Sequence, residues 1–309
     1  GFGVDFSYMS KPFKKALYVE RNEQLCSIAT QNFKCLGLNN ISTKNGDSIE
    51  VLHQLDSVSV LFLDPARRNS SGGKVVLMAD CEPNVLELCD EMVEKSHFVV
   101  LKLSPMLDWH SAVAQLKYVT EVHIVSVGNE CKELLLVLTD RNKTAKGCKS
   151  NTIQIFCVND NDVFSYEEDF YSEVENIPQQ RIFDRNATLP PYLYEPNASI
   201  MKAGCFAQLS ETYGIAALGH NSHLFVSPEF LPHFPGRKFQ IVNVCTLNKK
   251  ELRRAFAGMT QANIAVRNFP MRVDELKKRL KLRDGGEHYI FATTRGDKEH
   301  ILIISKKEV

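Results

Sequence analysis

Short apolar runs alternate with amphipathic stretches over the first 140 residues. Residues 13–20 form a run that ends at Glu20 and read as a strand. Residues 21–37 place Leu25, Ile28, Ala29 and Phe33 at helical spacing, with Gly37 as the expected cap. Residues 40–44 read as a short strand, and Ser48 opens a helix through Leu55. Residues 58–63 are an apolar run of the kind expected in a parallel strand buried on both faces. A helix over 82–94, a strand over 97–103 and a helix over 111–118 follow. Residues 122–127 and 134–138 read as a closing antiparallel pair. Strands alternating with helices predict an α/β, Rossmann-like doubly wound sheet. The chain opens inside a glycine turn without a Met, so a first, central strand is expected to precede Gly1.

The pattern changes after residue 140. Residues 139–151 are rich in Lys, Asp, Asn, Thr and Gly and read as a boundary loop. Residues 152–158 read as a strand, 166–175 as an exposed acidic stretch, and Leu189-Pro190-Pro191 as a break. Asn197 then caps a helix expected to reach Tyr213 and to end at Gly214. From His223 the order is strand, strand (238–245), helix (249–257), strand (262–268), helix (273–282), then a hairpin of 289–294 and 300–305 about Gly296-Asp297. Two helices on one small sheet make an α+β module. The expected division is 1–140, 141–235 as a connecting, ferredoxin-like α+β segment, and 236–309 as a smaller basic α+β domain.

Composition narrows the class. The 309 residues are 44% hydrophobic and 24% charged, as in a globular protein. No stretch approaches the roughly 18–20 apolar residues of a membrane helix, so no membrane partner is expected. Nine cysteines are scattered, with no Cys-x-x-Cys pair. That argues against a disulfide framework and a structural metal, and suits a reducing cytoplasm. Net charge is zero, yet residues 236–309 hold 17 Lys+Arg against 8 Asp+Glu, a net +9. Lys249, Lys250, Arg253, Arg254, Lys277, Lys278, Arg279, Lys281 and Arg283 decorate the two expected helices. Such a surface can neutralise phosphates; the plainer alternative is two solvated helix faces.

The candidate chemistry lies at strand ends. In an open parallel sheet, ligands sit beyond the carboxyl ends of the strands. Gly1 and Gly3 allow a tight turn and close backbone approach, followed by Asp5. Glu20 ends the second expected strand, where an acid can accept from both ribose hydroxyls. Asp47 follows the third, where an acid can accept from an adenine amino group. Asp64-Pro65 closes the fourth, beside the place of a transferable group. Each acid alone is as well explained as a helix cap; four in order point to a nucleoside cofactor. A nicotinamide site is disfavoured, because Gly-x-Gly-x-x-Gly would need glycine where Phe6 stands.

These features resemble class I S-adenosylmethionine-dependent methyltransferases. In detail the chain resembles a bacterial family of methyltransferase-type proteins with a C-terminal THUMP-like domain. The stretches that carry the resemblance are Gly1-Phe-Gly-Val-Asp5, Tyr18-Val-Glu-Arg-Asn22, Leu63-Asp-Pro-Ala-Arg-Arg68, Asp80-Cys-Glu-Pro-Asn84, Leu101-Lys-Leu-Ser-Pro105 and Gly128-Asn-Glu-Cys-Lys-Glu-Leu134. Tyr192-Leu-Tyr-Glu-Pro196 and the C-terminal segment extend it. The resemblance implies S-adenosyl-L-methionine as cofactor, with Gly1, Gly3 and Asp5 at the methionine end, Glu20 at the ribose and Asp47 at the adenine. It implies RNA, tRNA or rRNA, as partner, held by Lys249, Lys250, Arg253, Arg254, Lys277, Lys278 and Lys281.

Acceptor chemistry would centre on Asp64, Pro65, Arg67 and Lys102. Amino-methylating enzymes of nucleic acids usually carry an acid or amide, two prolines and an aromatic at this place. Asp64-Pro65-Ala66-Arg67 lacks the second proline and the aromatic. Arg67 can stack on a base or grip a phosphate; alternatively Arg67 and Arg68 pair with Asp80 or Glu82. Lys102 reads as a base or as a partner of Asp64. Cys81 and Cys131 are the candidate nucleophiles for carbon methylation. Asp108 and Trp109 either flank the substrate or pack the core, and Tyr192 and Tyr194 either touch a base or pack. The departure at Ala66 leaves a non-catalytic RNA-binding protein on a methyltransferase scaffold as the alternative.

Overall fold

A computed structural model describes residues 1–67, 78, 81–140, 152–170, 179–296 and 298–308. Residues 141–151 of the expected boundary loop, together with Arg68, Asp80, residues 171–175 and Asp297, lie outside the described residues. The chain forms two compact units, Gly1–Thr120 with Leu136–Cys148 and Glu121–Leu135 with Lys149–Val309.

In the first unit, helix α1 (Val4–Met9) precedes strand β1 (Ala16–Glu20), helix α2 (Glu23–Cys35), strand β2 (Ile41–Asn45), helix α3 (Ser48–Gln54) and strand β3 (Val58–Leu63). A short antiparallel pair, β4 (Ala66–Arg67) with β5 (Cys81–Glu82), leads to helix α4 (Val85–Glu94), strand β6 (Ser96–Leu103) and helix α5 (Trp109–Gln115). Helix starts follow the cap rule. Asn22, Asp47, Asn84 and Asp108 each accept a backbone N–H from their own first turn, at 3.0, 2.7, 3.1 and 2.7 Å. Helix α2 buries Cys26, Ala29 and Phe33, while Ile28, expected on that face, is 44% exposed. Ala29 and Phe33 are buried as read and Leu25 partly so, while Cys26 joins the face in place of Ile28.

Strands β1 and β2 pair in parallel as a two-stranded sheet, and β3 pairs in parallel with β6. Strand β3 ends its sheet and is half-buried along its length, not enclosed on both faces as the sequence suggested. A strand at the end of the order has no neighbour beyond it to shield its outer side.

Strands β7 (Val119–Val127) and β8 (Glu130–Leu138) form a hairpin about Gly128 and Asn129, both at positive φ. In the second unit β7 pairs in parallel with β9 (Thr152–Asn159), which makes a hairpin with β10 (Asp162–Asp169). Strand β10 overlaps the stretch read as exposed acid. Its alternation hides the strand: Phe164 and Tyr166 turn inward while Glu167 and Asp169 face water. Burial pushes the Tyr166 phenol above its usual range.

Strand β11 (Tyr192–Pro196) leads to helices α6 (Ala198–Ala203) and α7 (Phe206–Tyr213). A single helix to Tyr213 was expected; Gly204, left-handed at φ 73°, ends α6 and splits it. Strands β12 (Ala216–Ala217), β13 (Phe225–Ser227) and β14 (Gly236–Thr246), helix α8 (Lys249–Ala255), strand β15 (Asn263–Arg267), helix α9 (Val273–Leu280), and strands β16 (His288–Arg295) and β17 (Glu299–Lys307) complete the unit. The sheet order is β12-β13-β11-β14-β17-β16-β15. Alternate residues serve two cores. Phe291, Ile301 and Ile303 join Leu193, Leu218, Leu224, Val226 and Phe239 on one face. Ile290, Ala292, Leu302 and Ile304 join Leu276 of α9, with Leu252 of α8 packed against them, on the other. Both basic helices therefore anchor on the same face by their apolar sides. Among the described residues, no helix is long and apolar enough to cross a membrane.

Candidate functional site

Parallel pairing fixes where the expected acids go. The β1–β2 register sets Glu20 opposite Asn45, so Glu20 and Asp47 follow neighbouring strands at their carboxyl ends. The Asn45 amide donates to the backbone oxygens of Glu20 and Arg21, at 2.9 and 3.1 Å, and ties the two ends together. The β3–β6 register sets Leu63 opposite Leu101, so Asp64 and Lys102 also share one end. Lys102 Nζ lies 2.5 Å from Asp5 Oδ2 and 3.6 Å from Asp64 Oδ2. The Gly1–Asp5 segment touches both pairs: the Tyr18 hydroxyl of β1 donates to Gly1 O at 2.8 Å, and Asp5 reaches Lys102. Lys102 thus joins Asp5 and Asp64 by direct contacts.

Electrostatics and packing hold this rim. The Asn22 N–H donates to Glu20 Oε1 at 2.8 Å, an interaction that favours the charged carboxylate. Asp47 is half-committed, since its Oδ1 caps α3. Arg21 bonds Glu82 at 2.9 Å and also feels the charges of Asp47 and Glu20. Gly3 sits at φ +75°, and a Cβ there would lie 2.4 Å from the Phe33 ring. Its immediate reason is therefore packing against α2. Tyr18, which the chemical reading passed over, donates to Gly1 O at 2.8 Å and fills an aromatic trio with Phe6 and Phe33. Its place two residues before the strand-end acid, on the same side of β1, was the available signal.

Other candidates fall elsewhere. Arg67 is in β4, whose backbone pairs Ala66 with Glu82, and its side chain lies outside the described atoms. Pro65 is half-buried beside Asp64. Trp109 is 1% exposed and stacks on His110, so it packs the core and does not flank a substrate. Asp108 caps α5. Burial raises the Cys131 thiol, the opposite of what a nucleophile needs. Tyr194 is fully buried; its hydroxyl donates to Glu229 O and accepts from Leu231 N, both at 2.9 Å. It is a core residue and not a base contact.

On the C-terminal helices Lys249, Lys250, Arg253, Arg254 and Lys278 are exposed, as are Lys281 and Arg283 just past α9. Lys277 is partly engaged with Asp284 at 2.7 Å. Lys281 adopts φ +57° at the end of α9.

Comparison with known proteins adds family evidence. Residues 236–307 match the THUMP domain-like family, and residues 192–235 match a ferredoxin-like domain family. The whole chain superposes on 75% of a crystal structure named "putative methyltransferase from Porphyromonas gingivalis W83", with a TM-score of 0.86 and 29% identity. The chain has a methyltransferase-type fold and a THUMP-like C-terminal domain. An uncharacterized protein from Listeria monocytogenes serotype 4b matches 48% of the chain over 61% of its own, at 12% identity and TM-score 0.35. Precorrin 8W decarboxylase from Methanobacterium thermoautotrophicum matches 45% over 77%, at 13% identity and TM-score 0.30. Neither of these two bears on function. No curated protein sequence matches the chain.

Proposed function

We propose that this methyltransferase-type protein uses S-adenosylmethionine and acts on RNA, tRNA or rRNA, in the cytoplasm. The observation that carries the proposal is the Asp5–Lys102–Asp64 set, with Glu20 and Asp47 following neighbouring parallel strands at their carboxyl ends. The donor set fits the cofactor: acids stand where hydroxyl and amino donors need acceptors, and Asp5 and Asp64 are 47% and 54% exposed. When bound, the cofactor supplies an activated methyl group. The chain's own task is then mainly orientation.

Glu20 accepts from the ribose hydroxyls and Asp47 from the adenine amino group, while Gly1, Gly3 and Asp5 border the methionine end. Asp64 Oδ and the Pro65 carbonyl hold the acceptor group, and Asp64 can take its proton. Lys102, paired with both Asp5 and Asp64, positions the acid. Arg67 grips the nucleic acid, and Lys249, Lys250, Arg253, Arg254, Lys277, Lys278 and Lys281 bind phosphates. Scattered cysteines support the cytoplasmic setting.

Calorimetry with S-adenosylhomocysteine tests the cofactor. Wild type is expected to bind, and Glu20→Ala to bind about 10- to 100-fold more weakly, the worth of a charged hydrogen bond. Binding that ignores the substitution sinks the assignment. One observation favours a second reading, a non-catalytic RNA binder: an alanine in a backbone ladder stands near where a stacking aromatic is expected. Methyl transfer from labelled cofactor to bulk RNA separates the two.

A further inference from the structure

In the second unit, a groove of about 520 Å³ opens beside the end of α8. Its size falls within the range of small-ligand sites. A β-bulge builds one wall. The β14–β17 register slips between Ile241 and Asn243, leaving Val242 out of the ladder and 54% exposed, an apolar plate facing outward. Met259 and Ile304 belong both to the core and to the groove lining.

The opposite wall is the turn at Gly286. Gly286 sits at φ +79°, and a Cβ there would meet Gln261 Cγ at 2.9 Å. Bare backbone at 286 is what lets the exposed Gln261 side chain lie against that wall. Asn243 accepts from the Val244 N–H at 2.9 Å through Oδ1, and no described atom engages its Nδ2 donors. The groove thus combines an apolar plate with two side-chain amides, each carrying donors and an acceptor.

Charged residues adjoin the lining in the chain. Exposed Arg253 and Arg254 occupy the turn of α8 that ends in the groove residue Ala255. Arg283, also exposed, donates its backbone N–H to Thr260 O at 3.0 Å. The lining acid, Glu287, is paired with Lys306 at 2.8 Å.

We propose that this groove receives a single unpaired RNA nucleotide: its base on Val242, the base edge read by Asn243 and Gln261, and its phosphates near Arg253 and Arg254. Apolar contact and amides suit an unstacked base, and the exposed arginines of α8 suit the backbone. The inference rests on the RNA reading above and adds a site to it.

The test uses the full chain and fluorescence anisotropy. The probes are a labelled RNA hairpin with a single-stranded tail and the same hairpin with a blunt end. Wild type is expected to prefer the tailed RNA. Asn243→Ala with Gln261→Ala should remove about tenfold of that preference without changing the slope of affinity against salt. Val242→Asp should act likewise, and thermal midpoints confirm that the exposed substitutions leave the fold intact. Arg253→Ala with Arg254→Ala should instead weaken both probes and flatten the salt slope. If wild type binds both hairpins equally, or the amide variant keeps the preference, the groove assignment falls while RNA binding stands. If wild type binds neither, the RNA reading falls and takes this inference with it.

Discussion

Two carboxylate clusters in this protein use the same chemistry to opposite ends. In the second unit Glu195 is 4% exposed, with Arg237 Nε 2.6 Å from Oε2 and Arg267 Nη2 2.7 Å from Oε1. Arg237 lies on the strand next to β11, and Arg267 on β15, four places away in the sheet order, so the triad ties the sheet across its face. Both oxygens are occupied. In the first unit Asp5 and Asp64 share one lysine and stay about half exposed. A buried, doubly neutralised acid has nothing left to offer a ligand. Two half-exposed acids on one cation remain in reach of solvent. The difference separates a structural staple from a candidate site.

The comparison predicts unequal costs. Glu195→Ala leaves two arginines facing each other over a buried space. Breaking one side of a buried ion pair costs roughly 3–5 kcal/mol. Asp5→Asn removes one half-exposed partner of Lys102 and should cost less than about 1 kcal/mol. Urea unfolding of the two variants measures both. Equal losses would mean that the rim acids are as structural as Glu195.

Gly3→Ala should come next, at about 1–3 kcal/mol. It forces a side chain into a left-handed backbone and into the Phe33 ring. Phe33→Leu removes that ring, so the double variant should lose less than the two single losses summed. Strict additivity would show that the backbone conformation alone makes position 3 glycine. In that event the cost says nothing about packing on α2.

The alternation of strands and helices was legible because the elements of the first 140 residues are short, capped and strongly patterned. Asn22, Asp47, Asn84 and Asp108 cap these helices by a local rule, yet only the start at Ser48 was placed from sequence; the starts expected at 21, 82 and 111 fall at 23, 85 and 109. The C-terminal module was legible for the same reason. Two kinds of feature were not. Strand β10 reads as acidic because every second side chain faces water, and only the partner strand β9 reveals the other half. The roles inside Tyr192-Leu-Tyr-Glu-Pro196 depend on residues far along the chain: Tyr194 on Glu229 and Leu231, Glu195 on Arg237 and Arg267. The rim was half legible. Its acids were visible at strand ends, but Lys102 holding Asp5 as well as Asp64 joins positions 97 residues apart.

A modest, pH-dependent effect sharpens the comparison at the rim itself. Tyr18 is the neutral member of that cluster. Burial first, then the charges of Glu20 and Cys26, raise its phenol to about 12. An unfolded tyrosine titrates near pH 10. Folding therefore favours the protonated phenol, so its contribution is full below about pH 10 and is lost as the pH rises toward 12. Tyr18→Phe keeps the aromatic trio with Phe6 and Phe33 but removes the titrating group and the bond to Gly1 O. Below pH 10 the variant should be less stable by about 1 kcal/mol, the worth of one hydrogen bond. Between pH 10 and 12 wild type should decline more steeply and the gap should close. Unfolding free energies of both proteins across that window decide it. A gap that stays constant to pH 12 would mean that Tyr18 ionises as freely in the fold as out of it, and that the rim is wetter than its packing implies.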